Sequence, residues 1–114
     1  MMAEKTYTGA ELAERLRTLP GWSEAGNAIR REYTTDGWPT TLMLVNLIGF
    51  LCEAADHHPD LAVSWGRVEV RLNTHTAGGV TDKDLELAHV IEREATWKPA
   101  GGALSGTRRK WITS

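Results

Sequence analysis

Residues 64–76 constrain the fold more than any other stretch of this chain. Val68, Val70, Leu72 and Thr74 fall on one face of an extended segment, and Trp65, Arg67, Glu69, Arg71, Asn73 and His75 fall on the other. A strand that is apolar on one side and charged on the other meets a core on one face and water on the other. That pattern fits an antiparallel sheet covered by helices on one face only.

The helices that supply the cover can be read from spacing and from stop signals. Residues 40–55 are apolar on most sides, as expected of a central helix packed on a sheet. Met43, Leu47, Phe50, Leu51 and Ala54 trace its most continuous stripe, and Pro39 suits an early helical position after the Asp36-Gly37 turn. Pro59 closes whatever helix precedes it, because its ring disfavours helical geometry at His58. A first helix is expected to start at Thr8 with Glu11 completing a capping box, to carry Leu12, Leu16 and Leu19 on one face, and to stop at Pro20-Gly21. A last helix follows the Gly78-Gly79 turn. Thr81 is its cap, Asp84 stands in the box position, and Leu85, Ala88, Ile91 and Ala95 form its stripe. Ile29, Arg31 and Tyr33 alternate with Ala28, Arg30 and Glu32 as a short strand with one wet face, and another strand fits within residues 22–30.

At 114 residues the chain makes one domain, expected over residues 1–98, with a C-terminal extension at 99–114. Gly101, Gly102 and Gly106 make the extension flexible by composition, but Trp111 and Ile112 suit docking on the domain or on a neighbouring subunit. A net charge of −2 offers no broad basic field for nucleic acid, and Arg108-Arg109-Lys110 reads as a solvated tail. The apolar segment 42–52 is too short to span a bilayer, so no membrane partner is expected. Cys52 is the single cysteine, so an intrachain disulfide is ruled out. With Met1 to Lys5 opening no signal-like stretch, the expectation is a cytoplasmic protein.

Histidine carries the chemistry. His57 and His58 are adjacent, with Asp56 before them and Pro59 after, and His75 ends the long strand. Imidazole can give and take a proton near neutral pH, and carboxylates such as Glu53, Asp56 and Asp84 can orient it by accepting its other N–H. Taken alone, a His-His-Pro triplet is as readily a satisfied helix end as a site. Adjacent histidines seldom chelate one ion, and the helical i, i+4 or strand i, i+2 pairs that do are missing, so no metal is expected. His89 reads as a solvated helix residue, and Cys52 as core. Trp22 and Trp65 suit packing, or stacking on a flat ring.

The segment from Glu53 through Asp56-His57-His58-Pro59 resembles the signature of the pterin-4a-carbinolamine dehydratases. Trp65, His75 and Asp84 stand at the family's spacings after it, and Gly21-Trp22, Thr74-His75, Gly78-Gly79 and the Ile91-Glu92 text of the last helix match as well. The resemblance covers roughly residues 8–95. It implies an α+β fold with a four-stranded antiparallel sheet, about three helices on one face, and a homodimer or homotetramer. It also implies a reaction: dehydration of 4a-hydroxytetrahydropterin to quinonoid dihydropterin in tetrahydrobiopterin recycling, with no metal or organic cofactor.

Carried over by position, His57 and His75 are the acid–base pair, and His58 binds substrate and shares the proton work. Asp56, Pro59, Asn73, Thr74 and Thr76 line the pterin beside the histidines. Glu53, Asp84, Trp65 and Trp22 support them. Two departures from the family pattern stand out: Asp36-Gly37-Trp38-Pro39 at the entry to the central helix, and the extension at 97–114. The rival expectation is a non-catalytic binding protein, such as a Rubisco assembly factor of the carboxysome. Relatives of that kind tend to lose the double histidine, which this chain keeps.

Overall fold

The computed structural model describes residues 4–114. The reading of Met1, Met2 and Ala3 as part of a non-apolar start lies outside the described residues. The chain forms a four-stranded antiparallel sheet in the order β1-β2-β4-β3, with α1 (Gly9–Leu16), α2 (Trp38–Ala55) and α3 (Asp82–Ala95). The fold is therefore α+β, as the strand pattern requires.

β1 (Trp22–Ala25) and β2 (Ala28–Thr34) form a tight hairpin, with Gly26 at φ +64° in the turn, a region that favours glycine. β3 (Asp60–Ser64) and β4 (Arg67–Leu72) form a second hairpin across Trp65-Gly66, and β4 pairs with β2 at the centre of the sheet. The single strand expected over 64–76 is thus shorter than its alternation. Trp65 lies in the hairpin turn, and His75 lies beyond the strand as the first residue of a 3-10 turn, His75–Ala77. Gly78, at φ +71°, and a Thr74–Gly79 bridge fold the chain back there, which is why the strand cannot run on to His75.

The facing predicted for β4 holds. Val68, Val70 and Leu72 are wholly buried with Ile29 and Tyr33 from β2, while Arg30, Glu32, Glu69 and Arg71 form ion pairs across the uncovered face. Leu12, Ile48, Ala88 and Ile91 bring the three helices onto this apolar layer, and Leu19, expected within the first helix, joins it from the turn beyond α1, which ends at Leu16. Burial of each such side chain is worth roughly 1.5–3 kcal/mol.

Two details differ from expectation. Thr8 caps α1 by position only: its side chain makes no cap hydrogen bond, and Glu11 pairs with Lys5 at 2.8 Å instead of completing the box. In α2 the buried line is Thr41, Leu44, Ile48 and Cys52, and the expected stripe faces largely outward, with Met43 52% and Phe50 71% exposed. A helix apolar all round has no periodicity to choose its inner face. Polar chemistry chooses it: the Thr41 hydroxyl donates to the Trp65 carbonyl at 2.9 Å and meets the Thr35 hydroxyl at 2.7 Å, which locks the rotation of α2. By length and composition alone α2, 18 residues of mean hydropathy 1.3, would suffice to cross a membrane. Here it packs against β3, β4 and α3.

Glu92 joins the sheet to α3. Its Oε1 accepts hydrogen bonds from Trp22 Nε1 at 2.9 Å, Arg31 Nε at 2.9 Å and the Tyr33 hydroxyl at 2.8 Å. At the C-terminus, residues 111–114 lie beside Thr34–Asp36. Asp36 N donates to the Trp111 carbonyl, Thr34 N to that of Ser114, and Thr113 N to that of Thr34. Arg109 holds Asp36 Oδ2 through two nitrogens, at 2.8 and 3.1 Å, and stacks over Trp111.

Candidate active site

α2 ends in a left-handed residue that is not glycine. Asp56 sits at φ +52°, and the His57 amide donates back to the Cys52 carbonyl at 3.1 Å. This hydrogen-bonded reversal is the usual helix stop, in which glycine normally takes the left-handed place. Keeping a side chain there costs roughly 1 kcal/mol. The turn directs His57 toward α3 and leaves His58 on the outer flank.

His57 Nε2 lies 2.6 Å from Asp84 Oδ1. Asp84 is fully buried, and its other oxygen accepts the Thr74 hydroxyl and the Thr81 amide, each at 2.8 Å. The same carboxylate therefore completes the predicted capping box of α3 and anchors an imidazole. The Thr74 and Thr81 donors fix the carboxylate in place facing His57 Nε2, which leaves Nδ1 for exchange. His58 Nε2 pairs with Glu53 Oε1 at 2.8 Å on an exposed flank, with Glu53 one turn back on α2. His75 has no side-chain hydrogen bond among the described residues.

A cavity of about 330 Å³ gathers these elements. Asp56, His57, His58 and Pro59 line it from the end of α2, and Asn73, Thr74, His75 and Thr76 from the end of β4. Residues far apart in sequence are brought together because β3 returns antiparallel to β4, placing Asp60 beside Arg71 and so Pro59 beside the β4 exit. Asp60 and Lys83 also line the cavity and were not singled out from sequence. Their available signals were adjacency: Asp60 follows Pro59, and Lys83 precedes Asp84 on the first turn of α3.

The tryptophans do not belong to it. Trp65 lies at the β3–β4 turn, the end of the hairpin opposite Pro59, and is 68% exposed against Gly37. Trp22 is buried and spends its N–H on Glu92. A larger groove, about 710 Å³ between α1 and α3, includes His89 and Asp82 but none of the other three histidines. Among the described residues no group of three or more His, Cys, Asp or Glu side chains is arranged to hold a metal ion.

The fold and site define an α+β domain with a histidine-lined, carboxylate-backed cavity at the junction of a central helix and a sheet. The family model for pterin 4 alpha carbinolamine dehydratase matches residues 5–94, and the chain belongs to this family. A protein of Roseiflexus sp. (strain RS-1) named "Putative pterin-4-alpha-carbinolamine dehydratase" is 45% identical over 83 residues, 73% of this chain and 89% of that protein. A protein of the same name from Thermosynechococcus vestitus is 40% identical over 94 residues, 82% of this chain and 98% of the relative. Among solved structures, a transcriptional coactivator/pterin dehydratase from Brucella melitensis superposes with a TM-score of 0.74 at 31% identity, covering 80% of this chain and 99% of that one.

Proposed function

We propose that the protein dehydrates 4a-hydroxytetrahydropterin to quinonoid dihydropterin, with His57 and His75 exchanging protons and His58 binding the substrate. The observation that carries this reading is the convergence of three histidines on one cavity, one of them backed by the buried carboxylate of Asp84. In the reaction an imidazolium gives its proton to the departing 4a-hydroxyl, and the C4a–O bond breaks to release water. A neutral imidazole takes a ring N–H proton, and the electrons of that N–H bond close the new C=N bond. The two imidazoles finish with exchanged protonation states and reset through solvent.

Asp84 serves His57 by fixing its orientation and tautomer. Each acid–base group contributes about 10²–10⁴-fold. The scheme needs no cofactor, and in a cell it would return a pterin cofactor to its reducible form. Self-association belongs to the same reading. Its support is the outward apolar face of α2, including Leu42, Met43 and Phe50, beside the β3 edge with exposed Val63.

The test is direct. Purified protein is added to 4a-hydroxytetrahydropterin as it forms in a hydroxylase reaction, and quinonoid product is followed by absorbance. Acceleration above the spontaneous rate is expected. Protein that binds no pterin and leaves that rate unchanged refutes the assignment and leaves a scaffold as the function.

A further inference from the structure

The cavity contains an ammonium group that the acid–base scheme does not use. Lys83 lines it beside the histidines, and among the described residues that do so it is the only lysine or arginine. Its backbone is fixed: it sits on the first turn of α3, next to Asp84, and its amide donates to Thr81 Oγ1 at 3.2 Å. Its side chain is not. The ammonium meets Glu4 Oε1 at 3.2 Å in a pair whose side chains are 58% and 37% exposed. Such a pair is weak and exchangeable.

Resting on the pterin reading, we infer that Lys83 is a substrate-binding residue that donates to the ring oxo oxygen of the pterin, and that Glu4 competes with the ligand for it. The 2-amino-4-oxo ring has a single oxo group, on the carbon next to C4a. This oxygen only accepts, so it calls for a donor close to the histidines that act at C4a. Thr74 has committed its hydroxyl proton to Asp84. Lys83 is the charged donor at hand, and a charge-assisted hydrogen bond is roughly twice as strong as a neutral one. Because Lys83 and Asp84 are consecutive on one rigid turn, holding the oxo group with one fixes the neighbouring carbon relative to the histidine held by the other.

The test is fluorescence titration of the full chain with two ligands: pterin itself, and 2-aminopteridine, which lacks the oxo group. Lys83→Gln is expected to weaken pterin binding about tenfold and to shift 2-aminopteridine by less than about twofold. Lys83→Arg, which keeps the charge and the donors, is expected to restore pterin affinity to within about threefold. Glu4→Gln should move affinity the other way, tightening pterin up to about fivefold by releasing the lysine, and should do nothing in the Lys83→Gln background. Equal loss for both ligands, or weaker binding in Glu4→Gln, overturns the inference. So does wild-type pterin affinity that ignores Lys83 altogether, and that result leaves the pterin reading standing. Wild-type protein that binds neither ligand removes the pterin reading itself and the inference with it.

Discussion

His57 Nε2 and Asp84 Oδ1 stand 2.6 Å apart, and the carboxylate is wholly buried while the imidazole borders the cavity. Asp84→Asn keeps the shape but replaces an acceptor with a donor, against an environment of three donors. The dehydration rate is expected to fall at least about 10²-fold, with a stability loss of roughly 1–3 kcal/mol from the mismatched hydrogen bonds. Kinetics with denaturant unfolding checks both; an unchanged rate would remove Asp84 from the mechanism.

Alanine at His57 or His75 should each lower the rate about 10²-fold or more with the fold intact. The double variant should lose less than the product of the single effects, since both groups serve one proton-transfer event. His89→Ala, in the separate groove between α1 and α3, should change little. A normal rate in His75→Ala would reduce the site to His57 and His58.

Asp56 is retained in a left-handed conformation that glycine adopts freely. Asp56→Gly is expected to raise stability by roughly 0.5–1 kcal/mol and to weaken pterin binding, a split read by thermal unfolding against ligand titration. Gain in both measurements would mean that the carboxylate has no part in binding.

Amide exchange should report the docked C-terminus residue by residue. Thr34 N and Asp36 N donate to Ser114 and Trp111, whereas Thr35 N between them donates to Gly66. A chain ending at Lys98 should therefore lose protection at 34 and 36 and keep it at 35. Acid should have the same effect on the intact chain. The Thr40 hydroxyl, and then Arg109, hold the Asp36 carboxyl below its usual value. A lowered folded pKa stabilises docking above the ordinary carboxylate range, and the gain is lost as pH falls through the lowered value. Uniform exchange across the three amides would contradict the arrangement.

Burial pushes the Cys52 thiol up to about 11. At pH 8 the folded protein should react with iodoacetamide far more slowly than a free thiol does, and at the normal rate once unfolded. Fast labelling of native protein would show that α2 opens locally.

Strand facing on β4 and the cap of α3 were legible because each rests on local chemistry: alternation for Val68, Val70 and Leu72, and a Thr-x-x-Asp spacing for Thr81 and Asp84. The rotation of α2 was not, since Met43, Phe50, Leu44 and Ile48 are equally apolar and the deciding contact joins Thr41 to Trp65 across 24 positions. Trp65 was misplaced for the same reason: a hairpin turn hides in a stretch whose alternation runs straight through it. Of the cavity, the residues with titrating or hydrogen-bonding motifs were found. Lys83 was missed because an isolated lysine on a helix is ordinary until the fold places it beside histidines.

The carboxylate hub at Glu92 acts at a distance. Asp84 and Glu92 lie on the same rigid helix, eight residues and about 12 Å apart at 1.5 Å per residue. Three side chains of the sheet clamp one end, so the helix has a fixed axial position, and the reach of Asp84 toward His57 is set from the far end as by a ruler. Loss of one clamp lets the rod slide, and a shift of even half a residue rise is comparable with the tolerance of a hydrogen bond. Trp22, Arg31 and Tyr33 then form an epistatic set. The effect of changing one depends on which others remain, and the damage registers as a slower proton transfer in a cavity that none of them lines.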